Sequence, residues 1–145
     1  MDLDELQRQH DEIEALLARF RQAIADDSSP QRLGALRWQF ARQLMAHLAL
    51  EDRIFYPNMQ RQPHDRLRDT AARLEMEMAP IAQSFSAYIA RWSDDRIERE
   101  WGDFCRESRE VLDRILHRMH KEERLLMPLL ADAGLVETPR IRQAG

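Results

Sequence analysis

The sequence predicts an all-α protein, an up-down-up-down four-helix bundle, and three observations carry that prediction. Apolar residues recur at alternating spacings of three and four along four long stretches, as on the inward face of an amphipathic helix. Only short breaks separate these stretches, and short connections between long helices make sequence neighbours antiparallel. Four glycines in 145 residues leave little material for turns between many short strands, while 33% charged and 43% apolar residues suit helices with one wet and one dry face.

The first stripe is Leu3, Leu6, His10, Ile13, Leu17, Phe20 and Ile24, and it stops at "ADDSSP". The second runs Leu33, Leu36, Phe40, Leu44, His47, Glu51 and Phe55, and breaks at "YPNMQRQP". The third is Leu67, Ala71, Leu74, Met78, Ile81, Phe85, Tyr88 and Trp92. Pro80 lies inside it and lacks the N–H that would reach the Met76 carbonyl, which predicts a kink. After "SDD" the fourth runs Trp101, Phe104, Ser108, Val111, Ile115, Met119, Glu122, Leu126 and Leu129. The bundle is expected over residues 1–133, with a patternless C-terminal tail over 134–145.

Length and composition bound the rest. The chain has room for one domain with one core. Cys105 is the only cysteine, so no internal disulfide framework exists and a reducing compartment is expected. The start, "MDLDELQRQHDE", has no apolar core of the signal-peptide kind, and no run approaches the ~18 apolar residues of a membrane span. A cytoplasmic location without membrane partners is expected. Net charge is −4, and the 22 basic residues, of which Lys121 is the single lysine, are scattered among carboxylates; no nucleic-acid surface is expected.

The chemistry lies where the stripes are interrupted. His10, His47, Glu51 and Glu122 occupy inward positions where leucine would be expected. A buried carboxylate without a partner costs several kcal/mol or shifts its pKa upward, so two carboxylates and two imidazoles in one core need a compensating charge. A metal ion is the usual one in helix bundles. A lone histidine on an apolar face is more often a hydrogen-bonded core residue, and His10 alone would be read that way. In "HLALE", His47 and Glu51 at i and i+4 project from one face, and the combination with His10 and Glu122 points to metal. The stretch "HRMHKEERLLMP" also repeats "HLALEDRIFYP": with Pro57 set on Pro128, Glu51 falls on Glu122, but His47 falls on Arg118.

On these residues the chain resembles the hemerythrin-like family, the HHE cation-binding domains. The motifs are "LQRQHDEI", "HLALEDRIFYP", "LEMEMAPI" and "KEERLLMPLL", and the likeness covers about residues 3–131. It implies a four-helix bundle that usually holds two non-haem irons and serves in binding or sensing iron, oxygen or nitric oxide, or in redox protection. It also implies His10, His47 and Glu51 as ligands of one iron, with Glu51 and Glu122 as bridging carboxylates. Two family ligands are missing: Met78 and Arg118 stand where the third and fourth helices normally supply histidines. Thioether suits a hard, oxygen-bridged iron poorly, and guanidinium is no ligand. One iron, or another divalent ion, is therefore expected, with a small diatomic molecule as possible ligand and Arg118 holding Glu122 in place of the second metal's charge.

Two alternatives stay open. Some family members space the last histidine and carboxylate five apart, as His117 and Glu122 are here, which would require a π-bulge in the fourth helix to turn His117 inward. Arg118 could also neutralise the acids so well that the core takes no cofactor, leaving a helical interaction or regulatory protein. Trp38, Trp92 and Trp101 would then offer a surface for a homodimer or another partner. Met76, Met78, Met119 and Met127 read as core filler, Cys105 as packing, His120 with Glu123 as a surface pair, and His64 as a residue at the start of the third helix. No nucleophile or general acid–base pair stands out, so no catalytic cycle is expected.

Overall fold

The computed structural model describes residues 2–136, and the described chain is helical with no strand. The helices are α1 (Leu3–Ala23), α2 (Gly34–Leu50), α3 (Tyr56–Gln60), α4 (Asp65–Arg91), α5 (Asp94–Arg99) and α6 (Trp101–Asp132), with a π-helical turn, Glu51–Phe55, joining α2 to α3. Side chains close several ends. Asp2 accepts from the Glu5 amide at 3.0 Å to cap α1, His64 Nδ1 accepts from the Leu67 amide at 3.1 Å to cap α4, and Ser93 caps α5. At the C-terminus of α6, Gly134 takes φ +74°, the Gly134 amide donates to the Ala131 carbonyl and the Leu135 amide to the Leu130 carbonyl. This left-handed termination turns Leu135 and Val136 back against the core. The predicted tail therefore starts with two packed residues; 137–145 lie outside the described residues.

Cross-helix contacts set the directions. Along α1 and α6 the pairs are His10 with Glu123, Glu14 with His120 and Arg21 with Asp113, so one index rises as the other falls. The same inversion relates α1 to α2 (Gln9 with His47, Phe20 with Phe40) and α4 to α6 (Glu77 with Lys121, Trp92 with Glu107). Between α2 and α4, Arg37 reaches Ile89 and Phe40 meets Phe85. The four long segments thus alternate in direction around a ring. Arg37 is buried, donating to the Ile89 carbonyl at 2.9 Å and to the Trp92 carbonyl; a guanidinium here meets carbonyls that the end of α4 leaves without helical donors. Pro80 does not end α4, which runs through it, and its ring lies on the exposed side of the helix.

The interior has two apolar halves with a polar layer between them. One half is aromatic: Phe20, Phe40, Phe85, Tyr88, Trp92 and Trp101 gather around or near Phe104, which is fully buried and lies 5.4 Å from the Trp92 ring. The other is aliphatic, built from Leu3, Leu6, Met59, Leu67, Leu74 and Leu126 with Phe55. Each large side chain buried this way contributes about 1.5–3 kcal/mol. Trp92 and Trp101 belong to the core, so only Trp38, 56% exposed, remains of the three tryptophans read as surface. Met78 and Met119 are buried as filler, but Met76 is 79% exposed and Met127 half-buried, because a helix turning 100° per residue cannot place Met76 and Met78 on one face.

The π-helical turn is the main local departure from the sequence reading, which had considered one only in the fourth helix. Pro57 gives the physical reason: it has no N–H, and its ring crowds the carbonyl four residues back, that of Arg53. A widened turn, in which the Tyr56 amide donates to the Glu51 carbonyl, relieves that crowding. The consequence is a phase shift. Phe55 and Tyr56 both point inward, and the buried face continues at Met59.

Candidate metal centre

The polar layer is formed by α1, α2, the π-helical turn that follows α2, and α6. His10 is 2% exposed, His47 1%, Glu51 2% and Glu122 4%, so the four inward positions read from the stripes are all buried. His10 and His47 meet edge-on with ring centroids 4.7 Å apart. Their Nε2 atoms converge on one carboxylate oxygen: Glu51 Oε1 is 3.4 Å from His10 Nε2 and 2.6 Å from His47 Nε2. One donor atom from each of His10, His47 and Glu51 lies within 4.8 Å of the other two.

Partners not foreseen in the sequence orient these rings. Glu123 Oε1 sits 2.9 Å from His10 Nδ1, and Gln9 Oε1 sits 2.9 Å from His47 Nδ1. Both partners are acceptors, so each Nδ1 carries hydrogen, and in the neutral ring Nε2 carries the lone pair. Two lone pairs and a carboxylate oxygen then face one another. Either a cation stands among them or an imidazole takes a second proton. His47 Nε2, although close to Glu51, is off the line a hydrogen bond needs and has no hydrogen-bond partner; Glu122 Oε1 has none either. Buried polar atoms in native proteins are rarely left so. Two imidazoles and carboxylates are a donor set that suits iron and its transition-metal neighbours, so the residues present fit a metal ion.

The electrostatics agree. Burial opposes charge on His10, but its contacts with Glu123 and Glu51 outweigh that and hold its pKa up, to about 10. Burial would likewise raise the Glu51 carboxyl, and the two imidazoles overcome it and bring the pKa down to about 2. Glu122 goes the other way: burial and the neighbouring Glu51 charge push it well above the ordinary carboxylate range. Without an ion the two acids are driven apart, Glu51 towards the charged form and Glu122 towards the protonated one. The Tyr56 hydroxyl donates to Glu122 Oε2 at 3.0 Å, and burial together with the two acids raises that phenol's own pKa.

Arg118 does not hold Glu122, as the sequence had suggested. Its guanidinium reaches outward to Glu77 Oε2 at 3.2 Å, where Lys121 also binds at 2.7 Å. A long arginine can bury its stem and keep its head near water, and Tyr56, re-aimed by the π-helical turn, takes the place beside Glu122. His117 is exposed and stays outside the group, because α6 keeps regular phase from Ile115 through Met119 to Glu122. His120 pairs with Glu14 at 2.7 Å rather than with Glu123, which serves His10. Met78 is buried beside a cleft that reaches Glu51 and Tyr56. On the opposite side a small cavity of about 20 Å³ touches His10, Glu51 and Glu122 and is otherwise walled mainly by apolar side chains such as Leu6, Phe55, Met59 and Leu126. That is room for about one water-sized molecule.

A four-helix bundle with buried imidazoles and carboxylates converging between two apolar halves defines a histidine–carboxylate cation-binding architecture. The chain belongs to the hemerythrin family: the model of the hemerythrin HHE cation binding domain matches residues 1–130. Comparisons with curated proteins and with solved structures each returned no match. Among the described residues no helix is long and apolar enough to cross a membrane.

Proposed function

We propose that this protein binds a single metal ion, iron or another divalent metal, through His10, His47 and Glu51 with Glu122 as a further carboxylate, and works in sensing or buffering iron, a diatomic molecule or redox state. The observation behind this reading is the convergence of His10 Nε2 and His47 Nε2 on Glu51 Oε1, with both Nδ1 atoms already engaged by Glu123 and Gln9. Such outer partners fix ring orientation and raise ligand basicity. A bound ion would supply a Lewis-acidic, redox-capable centre. The small cavity beside Glu122, with mainly apolar walls and room for about one water-sized molecule, supports a small neutral ligand at that position. A second ion finds no imidazole on the other side, where Met78 and Arg118 stand, so oxygen carriage by a paired-metal route is disfavoured.

One observation favours a metal-free alternative. An imidazolium at His10, flanked by Glu123 and Glu51, neutralises the layer without any ion. Metal analysis after anaerobic iron loading separates the readings. The single-ion reading expects a ratio near one per chain that falls in His10→Ala and His47→Ala variants. A ratio near zero supports the protonated core, and a ratio near two contradicts the reading.

A further inference from the structure

We infer that the outer seam between α2 and α4 is a homodimer interface, isologous about a two-fold axis. From Gly34 to Leu50 the only charged side chains are Arg37, which is buried, and Arg42; no acidic residue occurs there. α2 has α1 on one flank and α4 on another, and on its uncovered outer face Ala35, Trp38 and Ala46 stand exposed beside Gln39 and Arg42. On that face Trp38 is 56% exposed, the large exposed aromatic among the described residues. Two clefts line the seam. One, of about 370 Å³, runs beside Trp38, Met45 and Ile89; the other, of about 310 Å³, runs beside Met45, Ala82 and Met78. The α4 side presents Ala79, Ala82, Ser86 and Ala90, small residues that let another helix approach closely.

Charge decides the occupant. Arg42 lies in the cleft at one end of the seam, whereas Asp52 and Glu75 border the cleft at the other. A second copy turned by a two-fold axis through the middle of the seam sets its acidic end over the basic end of the first, and the reverse contact forms at the same time. The seam is its own complement. The acidic cleft reaches Glu51 and Tyr56, so a dimer formed here also covers that approach to the polar layer.

The test uses the full metal-free chain, so its outcome is independent of metal binding. Sedimentation equilibrium from micromolar to submillimolar protein is expected to show a dimer. Ala82→Arg, at mid-seam, is expected to give a monomer with unchanged helical circular dichroism. Arg42→Glu and the double variant Asp52→Arg with Glu75→Arg should each weaken self-association, and an equimolar mixture of the two should recover a heterodimer. That mixing experiment decides the matter even if Ala82→Arg does not fold. A wild-type chain that stays monomeric, a dimer indifferent to Ala82→Arg in a folded variant, or a mixture that fails to associate overturns the inference.

Discussion

The α1–α2 side and the α4–α6 side of the polar layer are built on the same kind of helix, and they treat charge differently. On the first side His10 and His47 are buried, aimed at Glu51 and held from behind by Glu123 and Gln9. On the second, Met78 brings a thioether, and Arg118 turns to the half-exposed Glu77, leaving Glu122 to a tyrosine hydroxyl. Burial alone does not make a ligand site. What distinguishes the first side is that each ring has Nδ1 engaged from behind and Nε2 pointed inward at Glu51, while the second side satisfies or expels its polar groups. Glu122 belongs to both, bonded on one oxygen and unpartnered on the other.

The difference can be broken most directly at the proposed ligands. Glu51→Gln is expected to remove iron loading, from about one ion per chain to none, while Met78→Leu leaves it intact; equal losses in both would dissolve the distinction between the sides. Next in size are the outer partners. Gln9→Ala and Glu123→Ala should each weaken metal affinity roughly 10–100-fold, measured by competition with a chelator, as such supporting contacts usually do. Wild-type affinity in either variant would show that ring orientation is fixed by packing alone.

Protonation offers a third probe, read on metal-free protein by chemical denaturation across pH. His10 has its pKa raised from 6.5 to about 10, so the stability it confers is complete below pH 6.5 and disappears as pH climbs towards 10. Glu122, also raised, acts in the same direction. Glu51 is lowered from 4.5 to about 2, and its contribution is present above pH 4.5 and fades as pH falls towards 2. Metal-free stability should therefore peak between these limits and decline on the alkaline side, with His10→Gln flattening the alkaline arm. On the proposed reading an ion at His10 Nε2 competes with the proton held there, so loading should strengthen as pH rises. The smallest expected contrast lies at Glu122. Tyr56→Phe removes the donor to a buried carboxyl and should cost about 1–3 kcal/mol, whereas Arg118→Ala, losing a partly exposed pair, should leave the unfolding midpoint nearly unmoved. A larger loss from Arg118→Ala would restore it as the guardian of Glu122.

Much of this was legible before any coordinates. The period of 3.6 carries His10, His47, Glu51 and Glu122 inward together with the leucines around them, and all four are buried. Helix phase is local, so residue spacing suffices to read it. Less accessible were the groups that give the site its character. Gln9 and Glu123 are neighbours in sequence of His10 and Glu122 on their own helices, yet each serves a histidine on a different helix. Glu123 could have been suspected from the "EE" doublet, since adjacent helical positions differ by only 100° and the second acid flanks the core. Tyr56 gave no such sign; its inward aim depends on the widened turn ahead of Pro57.

By itself, then, the amino-acid order determined four amphipathic segments, the direction each presents its polar interruptions, and the presence of Met78 and Arg118 rather than histidines on the far side. Only the packed bundle decided which partners those interruptions meet. Long side chains such as Arg118 have several positions within reach of one backbone site, and the choice among Glu77, Glu122 and water depends on what neighbouring helices place there. Helical periodicity is a property of consecutive residues, whereas a hydrogen-bond partner 113 positions away is a property of the assembled core.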